Sequence, residues 1–326
     1  VAAMLAAALC LSGCGDKPGA KSGNETPAPM KIAVIPKGTT HEFWKSVHAG
    51  AVMAERELGG IKVDWKGPQK EDDREAQITV VVDLIAKGVR GIVLAPLDNE
   101  ALIQPVKDAA ARGIPVVIID SALNGTAHRS YVATDNYQGG VMAAKHLGRI
   151  VDGKARLIMM RYQEGSASTM QREAGFIETI RRDFPGITVL SDNQYAGATA
   201  ETAMQTAENL LVRFPDADAV FCPNESSTFG MLKALQAAKR AGAVKFAGFD
   251  TSKPLIDALR AGEIHGLVAQ NPMKMGYLGV ATMVKVLKGE PVPAAIDTGA
   301  VLVTPANIGE PAIVDLINPP LDKYLK

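Results

Sequence analysis

Short apolar runs alternate with segments of helical spacing along most of the chain after residue 30. The run 31–35 precedes residues 42–58, where Phe43, Val47 and Ala51 recur at the spacing of an amphipathic helix. Further strands are predicted over 61–65, 91–95, 114–119, 155–160, 188–190, 219–222, 244–249 and 267–269. Further helices are predicted over 74–86, 100–112, 168–182, 200–213, 227–241, 253–261 and 273–287.

The predicted strands are unbroken Val/Ile-rich runs, which is the pattern of a parallel sheet covered by helices on both faces. Two such arrays follow one another in the chain, so the pattern predicts an α/β protein with two Rossmann-like, doubly wound lobes. Ligands bind such sheets at the carboxyl ends of the strands, and the residues just after each strand are therefore the candidates for function.

Composition narrows the classes of protein. The 326 residues are 47% hydrophobic, enough for the cores of two domains, and the formal net charge is zero. A nucleic-acid partner is not expected, because no segment concentrates lysine and arginine. No cofactor is expected either.

The first residues are typical of a bacterial lipoprotein signal. Residues 1–11 are almost wholly apolar and lead into Leu11-Ser12-Gly13-Cys14. We expect 1–13 to be a signal peptide, Cys14 to carry lipid, and the polar stretch 14–29 to be a flexible tether to a membrane. Of the three cysteines, Cys222 alone would then remain in the folded body, where we expect a buried apolar filler.

Carboxylates, amides and aromatic rings follow the predicted strands. Together they suit a sugar, because polar side chains pair with hydroxyl groups and rings cover the apolar C–H faces. Unpaired hydroxyl groups would be costly to bury. The residues at the strand ends include His41, Phe43, Trp44, Asp120, Ser121, Tyr195, Asn224, Asp250 and Gln270.

The order and spacing of several segments resemble the ribose-type periplasmic binding proteins, which are type I solute-binding proteins of ABC importers. The resemblance covers nearly the whole chain after the tether. The segments that carry it are 32–44 with Gly50, 92–98, 114–120, 172–176, 221–225, 248–250 and 268–270.

The resemblance implies two lobes joined by three hinge strands. An amino-terminal lobe would contain 30–134 and 271–298, and a carboxy-terminal lobe 135–270 and 299–326. It also implies a monomer that closes around a small sugar-like ligand and delivers it to the permease and ATPase subunits of an importer. The implied ligand contacts are His41, Phe43, Trp44, Asp120, Tyr195, Asn224, Asp250 and Gln270, with either Met170 or Arg172 in the place of an arginine.

Three positions depart from the ribose binders. His41 and Ala95 stand where those proteins have asparagine, and Ser121 stands where they have arginine. We keep Ser121 among the candidate ligand-binding residues, but the changes leave a different monosaccharide, a polyol or a related polar molecule as open as ribose.

Other readings of the same residues remain open at this point. Asp120 and Asp250 could cap the helices that follow them, and Phe43 could face the core. A ligand-sensing partner of a membrane receptor would have the same sequence pattern. Catalysis is not expected: nucleophile-elbow and zinc-protease motifs are absent, and the five histidines lack metal-ligand spacing. A pair of aspartates across a cleft could still imitate a glycosidase.

Overall fold

The computed structural model describes residues 28–325, so the predicted signal peptide, Cys14 and most of the predicted tether lie outside the described residues. The strands are β1 (Met30–Ile35), β2 (Ile61–Trp65), β3 (Gly91–Leu94), β4 (Val116–Ile119), β5 (Ser130–Ala133), β6 (Ala155–Arg161), β7 (Ile187–Tyr195), β8 (Ala219–Phe221), β9 (Lys245–Phe249), β10 (Gly266–Gln270), β11 (Ala295–Asp297) and β12 (Ala300–Val303). The helices are α1 (Glu42–Leu58), α2 (Arg74–Ala86), α3 (Ile103–Ala111), α4 (Asn136–Ile150), α5 (Ala167–Asp183), α6 (Ala200–Arg213), α7 (Glu225–Ala237), α8 (Lys253–Arg260), α9 (Pro272–Leu287), α10 (Pro311–Ile317) and α11 (Leu321–Tyr324).

The strands form two six-stranded sheets of corresponding topology. The first has the order β11-β5-β4-β3-β1-β2 and the second β12-β10-β9-β8-β6-β7. All neighbours pair in parallel except β10 with β12, which are antiparallel. We call the first sheet with its helices the amino-terminal lobe and the second sheet with its helices the carboxy-terminal lobe. The predicted fold class, two doubly wound α/β lobes, is confirmed.

Each sheet is covered by an apolar cluster on both faces, as the unbroken Val/Ile strands require. The helices that carry candidate residues are held by close backbone contact at glycine. A Cβ atom at Gly50 of α1 would clash with the carbonyl oxygen of Met273 in α9. A Cβ atom at Gly140 of α4 would clash with the carbonyl oxygen of Arg172 in α5. These contacts fix the helices that bring His41 and Arg172 to the strand ends.

The chain passes between the sheets at residues 134–135, 271 and 298–299, close to the crossings expected from the resemblance. The exact lobe boundaries stay a prediction. The last segment of the described chain lies against a different lobe from the one that the resemblance implies. The resemblance places residues 299–326 in the carboxy-terminal lobe, yet α11 lies against α1, where Arg56 donates to the carbonyl oxygens of Lys323 and Tyr324. The chain after α10 therefore returns to the amino-terminal lobe.

Two further observations concern the described residues alone. None of their helices has the length and apolar character needed to cross a bilayer. Within 28–325, histidine, cysteine, aspartate and glutamate form no group able to hold a metal ion.

Candidate ligand-binding site

The carboxyl ends of the two sheets face each other across a cavity between the lobes. Both lobes line it with a mixture of charged, amide, hydroxyl and aromatic side chains. The lining residues are Lys37, His41, Phe43, Trp44, Glu71, Asp120, Tyr162, Ser168, Thr169, Arg172, Asn224, Glu225, Asp250 and Gln270.

Asp120 and Asp250 occupy corresponding positions, directly after β4 and β9. Both have left-handed backbone conformations, with φ of 61° and 69°, which are uncommon outside glycine and tend to occur at functional sites. Asp250 does not cap the next helix, because the N-cap residue of α8 is Ser252. The Asp250 carboxylate instead accepts from Gln270 Nε2 at 2.8 Å and from the backbone N–H of Glu225 at 2.9 Å.

Lys37, two residues after β1, is the partner of Asp120. Its buried ammonium lies 3.0 Å from Asp120 Oδ2 and donates across the cleft to Ser166 Oγ at 3.2 Å and Ser168 Oγ at 3.1 Å. Ribose binders have an arginine at the position after this aspartate, whereas this chain has the uncharged Ser121. Lys37 supplies a cation from a different strand.

Ser121 lies beside the cavity but does not line it. Its hydroxyl oxygen accepts from the backbone N–H of Ser168, in the first turn of α5, at 3.0 Å. The side chain thus joins the two lobes at the edge of the site.

Glu71, between β2 and α2, collects three donors from the cavity wall. Glu71 Oε1 lies 2.6 Å from His41 Nδ1 and accepts from Trp44 Nε1 at 2.7 Å, while Oε2 accepts from Tyr162 Oη at 2.8 Å. Burial opposes both charges, but the mutual attraction outweighs it, so the pKa of His41 rises to about 9 and the pKa of Glu71 falls to about 2. The pair is therefore ionised near neutral pH.

Glu225 belongs to the carboxy-terminal lobe and caps a helix of the other lobe. Its carboxylate accepts from the backbone N–H groups of Phe43, at 3.1 Å, and Glu42, at 3.4 Å. Backbone N–H groups in the first turn of a helix have no acceptor within the helix. In α1 the N-cap residue, His41, makes no side-chain capping bond, so Glu225 supplies the acceptor instead. Burial and the nearby Asp250 raise the pKa of Glu225 to about 7, against the opposing effect of His41.

Arg172 of α5 lies at the centre of the carboxy-terminal wall. Its Nε donates to Asn136 Oδ1 at 2.8 Å and its Nη1 to the carbonyl oxygen of Pro223 at 2.9 Å, with the guanidinium 4.5 Å from the centre of the Phe249 ring. Burial raises the pKa of Asp250, and Arg172 reduces that rise.

Two cavity atoms stand out among the described residues. Arg172 Nη2 and Gln270 Oε1 are both buried and have no hydrogen-bond partner there. Burying polar atoms in this condition is costly, so each indicates a position where a ligand donor or acceptor would be favoured.

Asn224 and Phe43 also line the cavity. Asn224 forms a capping box with Ser227 at the start of α7, so it serves the helix as well as the cavity wall. The Phe43 and Trp44 rings pack edge to face with centroids 4.9 Å apart, and both line the cavity.

Met170 and Tyr195 lie outside the cavity. Both side chains are exposed, at 37% and 39%, and the Tyr195 ring lies 4.9 Å from the Arg161 guanidinium on the surface. Of the two alternatives for the arginine position, Arg172 lines the cavity and Met170 does not.

Six lining residues are not among the predicted ligand contacts, although Ser168 and Glu225 stand at predicted strand ends: Lys37, Glu71, Tyr162, Ser168, Thr169 and Glu225. Tyr162 directly follows β6 and Lys37 follows β1, so their places at strand ends were a usable signal. Glu71 lies in a connection with no such signal.

A protein-family model described as a periplasmic binding protein domain matches residues 32–291. The chain belongs to this family. Among curated relatives of this periplasmic binding protein, the ribose import binding protein of Escherichia coli is 30% identical over 81% of this chain and 86% of its own length. The D-ribose/D-allose-binding protein of Pseudomonas aeruginosa is 28% identical over 88% and 91%.

Solved structures agree with this assignment. A carbohydrate-transporter solute-binding protein of Agrobacterium radiobacter, in complex with D-arabinose, has a TM-score of 0.86 and 36% identity, covering 90% of this chain and all (100%) of that one. A solute-binding protein of Agrobacterium vitis, bound with α-D-tagatopyranose, has a TM-score of 0.84 and 31% identity, covering 88% and 99%. The chain is thus a ribose-type, type I periplasmic binding protein and not an enzyme, as predicted, and the family implies an extracytoplasmic location.

Proposed function

We propose that this periplasmic binding protein captures a monosaccharide or a similar small polyhydroxylated molecule between its lobes and delivers it, as a monomer, to an ABC importer. The ligand would contact His41, Phe43, Trp44, Asp120, Asn224, Asp250, Gln270 and Arg172, with Lys37 added to that set. Relatives named for ribose, allose, arabinose and tagatose support a sugar as the ligand class.

The observation that carries the proposal is the pair of buried atoms without protein partners. Arg172 Nη2 can only donate, while Gln270 Oε1 can only accept. A hydroxyl group both donates and accepts, so a polyol satisfies both kinds of atom. The two aromatic rings beside them suit the apolar face of a sugar ring.

The charges around the cavity favour a neutral ligand. Lys37 and His41 are matched by Asp120 and Glu71, and Arg172 faces Asp250. A phosphorylated sugar would add a charge of about −2 without an unmatched cation to receive it.

Native mass spectrometry of freshly purified protein tests the ligand class. We expect a co-purifying adduct with the mass of a monosaccharide or polyol, or, after dialysis, binding to at least one of D-ribose, D-allose, D-arabinose, D-tagatose and D-fucose in calorimetric titration. Because Ser121 and Ala95 replace polar groups of ribose binders, we expect another compound to bind more tightly than ribose. Absence of binding to every sugar and polyol would contradict the proposal.

We also propose that Cys14 anchors the protein to a membrane through lipid. The Leu11-Ser12-Gly13-Cys14 sequence supports it, and acyl chains hold a protein at a bilayer far better than a polar segment can. Cys14→Ser, expressed from the full precursor in a native-like host, should move the protein from the membrane to the soluble fraction. Equal membrane retention of the variant and the parent would overturn the anchor.

A further inference from the structure

Glu71 is a buried carboxylate that lines the cavity from the connection between β2 and α2 rather than from the end of a strand. Its Oε1 accepts from Trp44 Nε1 and lies 2.6 Å from His41 Nδ1, and its Oε2 accepts from Tyr162 Oη. His41 and Trp44 belong to the start of α1, and Tyr162 follows β6 of the other sheet. One carboxylate therefore joins three cavity residues from two lobes.

We propose that Glu71 is a positioning residue, which orients His41 and Trp44 toward the sugar and links them to Tyr162 when the lobes close. The inference rests on the proposed function, since it concerns how the same cavity selects its ligand. A carboxylate has about four lone-pair positions. Trp44, His41 and Tyr162 already occupy three of them, so Glu71 acts mainly through these neighbours.

The contact between Glu71 and His41 Nδ1 determines which ring nitrogen of the imidazole is available to a ligand. With Nδ1 directed to Glu71, Nε2 is the ring nitrogen left for the cavity. Glu71, Glu225 and Asp250 all act on His41 and favour its protonated form, while Lys37 acts on Glu71. The protonated ring presents an N–H donor at Nε2, which selects a hydroxyl or ring oxygen as the opposite ligand atom.

The bond from Tyr162 makes the arrangement depend on closure. Tyr162 reaches Glu71 from the carboxy-terminal lobe, and Gln163 Nε2 from the same lobe donates to the Glu71 carbonyl oxygen at 3.2 Å. Both bonds need the lobes to be together. Trp44 Nε1 and Tyr162 Oη are buried donors, and each would lose its acceptor if Glu71 were changed.

The test compares Glu71→Gln with Tyr162→Phe in the full protein. Proton NMR of the His41 ring, assigned by its loss in His41→Asn, reports the effect on His41 without any ligand. In Glu71→Gln we expect the pKa of His41 to fall clearly below the parent value of about 9, because burial is then opposed only by the smaller effects of Glu225 and Asp250. In Tyr162→Phe it should stay near the parent value.

Calorimetric titration with D-ribose, D-allose, D-arabinose, D-tagatose and D-fucose reports the effect on binding. Both variants should bind the parent's tightest sugar of this panel about tenfold more weakly. Tyr137→Phe is the matched control, because the Tyr137 hydroxyl donates to Glu178 on the exposed surface and should change neither measurement.

An unchanged His41 titration in Glu71→Gln overturns the positioning role, and unchanged affinity in Tyr162→Phe overturns the link across the lobes. If Glu71→Gln does not fold, as judged by circular dichroism, Trp44→Phe replaces it. That variant keeps a ring and removes one donor, and a tenfold loss of affinity is expected, with an unchanged affinity counting against the proposal. If the parent binds none of the sugars, the proposed function fails, while the His41 titration still decides the role of Glu71.

Discussion

The two lobes bring different kinds of polar group to the same cavity. On the amino-terminal side, charges are already paired, Asp120 with Lys37 and His41 with Glu71. On the carboxy-terminal side, Arg172 and Gln270 each keep a buried atom without a partner among residues 28–325. The paired groups keep their bonds whether or not a ligand binds, so they fix the shape of the site. The unpartnered atoms gain bonds from a ligand, so we expect most of the binding free energy to come from the carboxy-terminal side.

The largest loss of affinity is expected from Asp250→Ala. The Asp250 carboxylate accepts from Gln270 Nε2 and from the backbone N–H of Glu225, so its removal frees the side chain of Gln270, whose Oε1 is one of the two unpartnered cavity atoms among the described residues. Losing a charged acceptor costs about 1.5–3 kcal/mol per bond, and we expect affinity to fall about a hundredfold or more in calorimetric titration.

The matched control for Asp250→Ala is Cys222→Ser. Cys222 is buried in the apolar cluster of the second sheet, away from the cavity lining. A hydroxyl group there should lower the free energy of unfolding by about 1–3 kcal/mol and leave affinity nearly unchanged. Near-parental affinity in Asp250→Ala would place the ligand elsewhere and would contradict the expectation that the carboxy-terminal side supplies most of the binding free energy.

Lys37→Met tests the paired side. The change leaves the Asp120 carboxylate buried without its cation and removes the bonds to Ser166 and Ser168 across the cleft. We expect about a tenfold loss of affinity, smaller than for Asp250→Ala. The exposed Lys45, paired with Glu42, gives a control in Lys45→Met with less than a twofold effect. A loss from Lys37→Met greater than that from Asp250→Ala would reverse the ranking of the two sides.

Glu225→Gln tests the helix cap that one lobe supplies to the other. The closed structure raises the pKa of Glu225 to about 7, so closure takes up a proton there. Closure is therefore favoured below the ordinary pKa of 4.5 and the advantage is lost as pH rises through about 7. The parent should bind its sugar several-fold more tightly at pH 5.5 than at pH 7.5, and Glu225→Gln should reduce that ratio. His41 and Asp250 also act on the Glu225 carboxylate, so part of the pH dependence of binding should persist in the variant. Equal ratios in parent and variant would exclude a role for this group.

The smallest effect is expected from Tyr195→Ala. Tyr195 is exposed and packs against Arg161 outside the cavity, although the family resemblance assigns it a ligand contact. We expect a change in affinity of less than twofold by calorimetric titration. A tenfold loss would show that the cavity of the bound form extends to this surface.

The sequence pattern predicted the fold well where local signals were strong. Helices α1, α2 and α6 begin and end at the predicted residues, and β2 does as well. Strand β5, of four residues, and helix α4 were not predicted. Helix α4 has glycines at 139 and 140, which weaken a helical pattern. Their role is visible only in the tertiary structure, where Gly140 packs against α5 and Gly139 packs against Phe249 of β9.

The site was predictable to the extent that it follows from β/α topology. Asp120, Asn224, Asp250 and Gln270 line the cavity because parallel strands end at one edge of each sheet. Glu71 could not be found this way, since only tertiary packing brings its connection against the start of α1 at the cavity. Tyr195 is the converse case: β7 is an edge strand of the second sheet, and its end lies too far from the centre of the cavity.

The return of α11 to α1 matters for anyone who would build a fluorescent sensor from this protein. Strand β1 and helix α11 both belong to the amino-terminal lobe, so both ends of the described chain leave from the same rigid body. A donor and an acceptor fluorophore fused at the two ends would keep a nearly constant separation while the carboxy-terminal lobe moves. An insertion in the exposed turn after α7, paired with a fusion at either end, would instead convert closure into a change of energy transfer.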